Sequence, residues 1–148
     1  MTKQIKVNTL KLHEDAMIPE YKTPGASGVD LRTVKTIVIE PKDTVIVGTG
    51  LAFEIPEGYE MQIRPRSGLS AKTKLRVANS PGTIDSDYRG EVGIILDNTS
   101  NILPIIIEAG ERIAQAVVQK VEQVIFEEVD QLSDTKRGKG GFGSTGTK

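Results

Sequence analysis

The sequence predicts an all-β fold, a jelly roll or related sandwich with one short helix, and three observations lead there. Apolar residues recur at every second position through most of the chain. In "TVIVGTGLAFEIP" this places Val45, Val47, Thr49, Leu51, Phe53 and Ile55 on one side of an extended backbone. Turn signals such as "EPKD", "IPEG" and "EAGE" break these runs at short intervals. A single stretch, "SGLSAKTK", reads as helix, with Ser67 as its possible cap.

Taken in order, "IKVNTLKL" is a first half-buried strand and "TIVIE" a second. "TVIVGTGLAFEIP" reads as one continuous strand, and "YEMQIRP" leads to the helix. A polar hairpin from Asn79 to Tyr88 follows, then the strand-like runs "EVGIILDN", "ILPIIIEAG" and "IAQAVVQKVEQVIFEEV". Beyond about Leu132 the apolar pattern stops. A chain of 148 residues suits one domain with one core, here residues 1–132. Residues 133–148 are set apart as a flexible glycine-rich lid, "KRGKGGFGSTG" at its centre. Glycine loses more backbone freedom on ordering than other residues, and Phe142 has no apolar neighbours in the tail, so something outside the tail must order it. A plain disordered terminus is the bland alternative.

Composition excludes several function classes. The net charge of −1 gives no general attraction to nucleic acid or to anionic membranes, so any cationic site must be local. The absence of cysteine removes disulfides, thiolate metal sites and cysteine nucleophiles. No apolar run approaches the roughly 20 residues of a membrane span and no signal-peptide core opens the chain, so a cytoplasmic protein is expected. "NTS" at Asn98 is a sequon without meaning in that setting. The tail holds a literal GxGxxG at Gly138, Gly140 and Gly143, but no helix can follow it. "DSDYRGE" fails as a calcium loop, because Arg89 stands where an oxygen ligand belongs and Leu96 where the closing glutamate should be. His13, the sole histidine, cannot build a zinc site.

Five polar segments remain: "GASGVDL", "RPRSGLSAK", "NSPGTIDSDYRGE", "GERIAQ" and the tail. Singly, each has a bland reading: Asp30 as a turn residue, Ser67 as a cap, "DSDYRG" as a polar hairpin, Arg112 as a surface cation, Gln115 as a solvent-facing strand residue. Together they supply arginines, small residues with accessible N–H groups, carboxylates and one aromatic. That kit can bind a polyphosphate, hold a divalent metal and stack a base.

In this order the five segments resemble the trimeric deoxyuridine triphosphatase (dUTPase) family, from Ala26 to Gly146. The resemblance implies a homotrimer of jelly-roll subunits with an exchanged C-terminal arm and sites shared between subunits. It implies hydrolysis of dUTP to dUMP and pyrophosphate with Mg2+, limiting uracil incorporation into DNA and supplying dUMP for dTMP synthesis. Asp85 matches the residue that activates the attacking water, and Gln115 one that contacts the phosphate region and helps position that water. Asp30 matches the residue that meets the metal through water, the direct metal ligands being mainly substrate phosphates. Arg66, Ser67, Gly68 and Arg112 match phosphate binders. Asn79 and the backbone of Gly82, Thr83 and Ile84 match the uracil contacts, and Tyr88 the residue under the deoxyribose. In the tail, Phe142 would stack on uracil while Arg137, Gly143, Ser144 and Thr145 close over the phosphates. A dCTP deaminase is the rival within the enzyme class, although that subgroup lacks the "GGFGSTG" lid in this form. A regulatory protein partner is expected only for a phage-encoded copy, and a purely structural trimer leaves the five motifs unexplained.

Overall fold

Short strands whose side chains alternate between core and surface build almost the whole molecule, over the residues 3–148 that the computed structural model describes. The strands are β1 (Asn8–Lys11), β2 (Val29–Arg32), β3 (Ile37–Ile39), β4 (Thr44–Gly48), β5 (Leu51–Glu54) and β6 (Tyr59–Arg64). After helix α1 (Ser67–Lys72) come β7 (Leu75–Val77), β8 (Gly82–Ile84), β9 (Gly93–Asn98), β10 (Ile105–Ile107) and β11 (Arg112–Lys120). They pair antiparallel into two larger sheets, β2-β11-β6-β8 and β4-β9-β7, and two small ribbons, β1-β5 and β10-β3. Leu31, Ile63, Ile113 and Ala116 of the first large sheet share one buried cluster with Val47, Leu75, Ile94 and Leu96 of the second. This shared core makes a jelly-roll sandwich. Among the described residues, no helix is long and apolar enough to cross a membrane.

Four expectations need correction. The run "TVIVGTGLAFEIP" is two strands, broken at Gly50, whose φ of +68° turns β4 into β5 in a different sheet. A side chain at Gly50 would also meet Ala16, His13 and Val34 at 2.9–3.0 Å. Both faces of β5 are covered, since Ala52 is buried along with Leu51 and Phe53. The last long run stops at Lys120, because its partner β6 begins at Tyr59 and no strand among the described residues pairs with it further on. Val121 N–H still donates to the Gly58 carbonyl, and the segment that follows is not a strand.

Ser67 is not the helix cap. Arg66 holds that position with an extended backbone and no capping bond from its side chain, leaving Ser67 as the first helical residue. Nor is Asn79–Tyr88 a hairpin, because β8 pairs with β6 whereas the next strand, β9, belongs to the other sheet. The segment is therefore an edge strand and a crossing turn. Asn98 ties loop to strand: only 1% exposed, it donates through Nδ2 to the carbonyls of Ile39 and Leu103 at 2.9 and 2.8 Å. His13 shapes a turn, its Nδ1 accepting from the Asp15 N–H at 3.1 Å.

Candidate active site

The first large sheet positions one group of candidate residues by register. Gln115 on β11 lies opposite Asp30 on β2 and Arg64 on β6, so the three side chains stand in one row on one face. Just past the end of β6, Arg66 donates through Nε to Asp30 Oδ1 at 2.8 Å. Arg112, where β11 shifts register, donates through Nη1 to Asp30 Oδ2 at 3.2 Å. The carboxylate side chain is 16% exposed while Arg66 and Arg112 are 26% and 41% exposed. The anion thus sits inside and the two guanidinium groups project outward, held close despite their like charge. Neutralising one carboxylate with two arginines leaves local positive charge, which suits a phosphate.

Gln115 is gripped from two sides. Its Nε2 donates to the Pro65 carbonyl at 2.9 Å, and its Oε1 lies where a side chain on Gly28 would start, 2.7 Å from an ideal Cβ. Gly28 is therefore small because the Gln115 amide passes over its backbone. Ser67 and Gly68 open α1, where first-turn N–H groups have no partner within a helix.

A second group gathers around β8, the opposite edge of the same sheet. Gly82 is buried, and a Cβ there would meet Asn79 Nδ2 at 3.2 Å and Ile63 Cβ at 3.3 Å, so Asn79 folds over the strand. As an edge strand, β8 leaves one row of backbone groups at Gly82, Thr83 and Ile84 outside the sheet. Asp85 follows directly, exposed, its carbonyl accepting from the Tyr88 N–H at 3.2 Å. It lines a cleft of about 810 Å³ with Tyr59, Glu60, Asp87, Arg89 and Val121. Carboxylates dominate that cleft, and its cation, Arg89, stands 3.6 Å from Glu54. The phosphate-suited charge lies elsewhere.

The two groups are far apart within one chain. Asp30 and Asp85 differ by three strand positions across the sheet and four residues along it, roughly 20 Å at standard sheet spacings. The tail is a third, separate group. Its hydrogen bonds are local turns, among them Gly140 N–H to the Arg137 carbonyl and Ser144 N–H to the Gly141 carbonyl, and Arg137 Nε donates to the Gly140 carbonyl at 2.9 Å. Phe142 is fully exposed. The structure therefore brings Asp30, Arg66, Ser67, Gly68, Arg112 and Gln115 together. It keeps Asn79, Asp85 and Tyr88 in another place and Arg137, Phe142, Gly143, Ser144 and Thr145 in a third.

Sequence reasoning missed Gly28, Pro65 and Arg64. Gly28 carried a usable signal, a glycine at the threshold of a strand, which often marks close approach of other atoms to the backbone. Arg64 joins a ladder on the outer face of β6, donating to Gln62 Oε1 at 3.1 and 2.8 Å while Gln62 donates to Glu60. Among the described residues no three or more His, Cys, Asp or Glu side chains could hold a metal ion.

A family model described as dUTPase matches residues 14–146. A deoxyuridine 5'-triphosphate nucleotidohydrolase of Hydrogenobaculum sp. is 56% identical over 145 residues, covering 97% of this chain and 100% of its own. The dUTPase of Staphylococcus bacteriophage 80alpha, solved with dUPNHPP, superposes with a TM-score of 0.90 at 30% identity, covering 97% of this chain and 100% of its own. A variant dUTPase from phage phi11 of S. aureus, whose structure reveals the coordination of a structural Mg(II) ion, gives a TM-score of 0.81 at 26% identity, covering 86% and 98%.

Proposed function

The chain belongs to the dUTPase family and is a dUTP diphosphatase, releasing dUMP and pyrophosphate from dUTP, and from that premise we propose how its residues divide the work. The observation that carries the reading is the Asp30–Arg66–Arg112 cluster beside the clamped Gln115, a cationic seat with an oriented amide. Arg66, Arg112, Ser67 and Gly68 bind the phosphates there. Asp85 takes a proton from water as the water oxygen bonds to the α-phosphorus. The bond from that phosphorus to the bridging oxygen breaks, and pyrophosphate leaves with the electron pair. Gln115, fixed by Pro65 and by the space over Gly28, presents its amide to the α-phosphate and the water.

The residues present fit magnesium in the way that ion prefers. Mg2+ keeps several waters and takes substrate phosphate oxygens, so no all-protein cage is needed; Asp30, each of whose oxygens accepts one bond from an arginine, keeps a second acceptor site on each for a water of the ion's shell. Bound there, the ion would neutralise phosphate charge and hold the triphosphate in a reactive shape.

Asn79 and the free edge of β8 read uracil. An amide that donates to one oxygen and accepts from a ring N–H suits uracil better than cytosine. Tyr88 lies under the deoxyribose. Residues 133–148 form the lid over the domain of residues 1–132: Phe142 stacks on the base, worth about 1–3 kcal/mol. Arg137, Gly143, Ser144 and Thr145 close over the outer phosphates.

The active unit is a homotrimer with shared sites and an exchanged arm. The roughly 20 Å between Asp30 and Asp85 supports this, because a triphosphate seated on one chain's arginines cannot reach the same chain's Asp85 at its α-phosphorus. The segment after β11 supports it as well. Val124, Ile125 and Phe126 are 65%, 97% and 92% exposed, an apolar run that calls for a partner.

A magnesium-dependent pyrophosphate assay comparing dUTP, dTTP, dCTP and UTP tests the activity. Release of pyrophosphate from dUTP far ahead of the others is expected. Ammonia from dCTP would instead support the deaminase.

A further inference from the structure

The turn that crosses from β8 to β9 holds a contact that neither the sequence motifs nor the proposed mechanism uses. A side chain begun at Gly90 would lie 2.5 Å from the Tyr88 hydroxyl, 2.7 Å from Cζ and 3.2 Å from Cε2. The Tyr88 ring is therefore folded back over the Gly90 backbone, and its hydroxyl donates to the Glu91 carbonyl at 2.9 Å. That acceptor is firmly held. Glu91 Oε1 accepts from the Gly50 N–H at 2.8 Å, and the next residue, Val92, is fully buried with its N–H donating to the Leu51 carbonyl. Tyr88 itself is 44% exposed, so its outer face is open and could swing into solvent if the surface beneath were filled.

We propose that Gly90 is a positioning residue for sugar selection: by carrying no side chain it lets Tyr88 lie against the turn, tethered to the Glu91 carbonyl, at the depth that fits deoxyribose and refuses a 2′-hydroxyl. This rests on Tyr88 being the residue beneath the sugar. Discrimination against a single added hydroxyl depends on a wall that does not yield, and a tyrosine ring half in solvent is a firm wall only when its position is fixed. The Gly90 backbone fixes it from below and the tether fixes it at the end. Gly90 shows no left-handed φ, so an alanine there strains no backbone and acts by displacing the ring.

The test measures kcat/KM for dUTP and UTP in the full chain and in Gly90→Ala, Tyr88→Ala, Tyr88→Phe and the double variant Gly90→Ala with Tyr88→Ala. Gly90→Ala should lower the dUTP-to-UTP ratio about tenfold or more. A fault of folding alone would lower both values together and leave the ratio intact. In the double variant the ratio should equal that of Tyr88→Ala, since Gly90 acts only through the ring. Tyr88→Phe, which keeps the ring and loses the tether, should lower the ratio several-fold, and it provides the decisive reading where Gly90→Ala does not fold. A wild-type ratio in Gly90→Ala, or in Tyr88→Phe when it stands in, would overturn the proposal while a lowered ratio in Tyr88→Ala kept Tyr88 under the sugar. A wild-type ratio in Tyr88→Ala would remove Tyr88 from that role and the proposal with it.

Discussion

Asp85 stands exposed one residue beyond β8, free of any ion pair among the described residues, as the role proposed for it, receiving a proton from water, requires. Asp85→Asn keeps the shape and removes the basicity, so dUTP should still bind while turnover falls by about 10²–10⁴. Equilibrium binding and single-turnover measurements on the same variant separate the two effects. Gly28→Ala tests the other half of the site. Its methyl group would displace a flexible side-chain end, Gln115 Oε1 at 2.7 Å, and press only lightly on the Ala116 carbonyl and Val117 Cγ2 at 3.3 Å, so the fold should survive with a modest loss of stability while kcat drops. In a Gln115→Ala background the same substitution should cost little more, which a double-mutant cycle reads directly. At this scale the sequence made residue types and motif order legible, so Asp30, Asp85 and Gln115 could be named. It did not make contacts legible. That Asp30 spends both carboxylate oxygens on Arg66 and Arg112 depends on bringing positions 30, 66 and 112 together, which no local pattern encodes.

Strands were legible where one face is buried and the other wet, as in β6 and β9, whose side chains alternate cleanly between buried and half-exposed positions. Three-residue strands such as β7 and β8 are too short to show a period, and the split at Gly50 hid inside an unbroken apolar run. Asn98 shows how an element end can depend on one buried amide. Asn98→Ala would strand the buried carbonyl of Ile39, at about 1–3 kcal/mol, whereas water can take the place of Asn98 at the exposed Leu103, so denaturant unfolding should report a loss of at least about 1 kcal/mol. For the tail the expectation runs the other way. Its hydrogen bonds are local, so a chain ended after Lys136 should unfold at the same denaturant concentration as the full chain yet hydrolyse dUTP poorly. Full activity in that shortened chain would remove the lid.

The whole molecule was least legible, because the proposed site is not a property of one chain. Composition and alternation gave one sandwich, yet the three groups of candidate residues lie on opposite sheet edges and on a tail. Reach is no obstacle to sharing. Between Val121 and Phe142 an extended chain spans up to about 70 Å, whereas a domain of this size is about 35 Å across. The measurement that tests shared sites most directly mixes two proteins each expected to be impaired, Asp85→Asn and the chain ended after Lys136, unfolds and refolds them together, and assays dUTP hydrolysis. Random assortment in a trimer should complete about a quarter of the sites, because each then takes its Asp85 from one kind of chain and its tail from the other. Activity near that level is the predicted result; none, in mixtures where hybrid trimers are demonstrated by mass, would contradict the account.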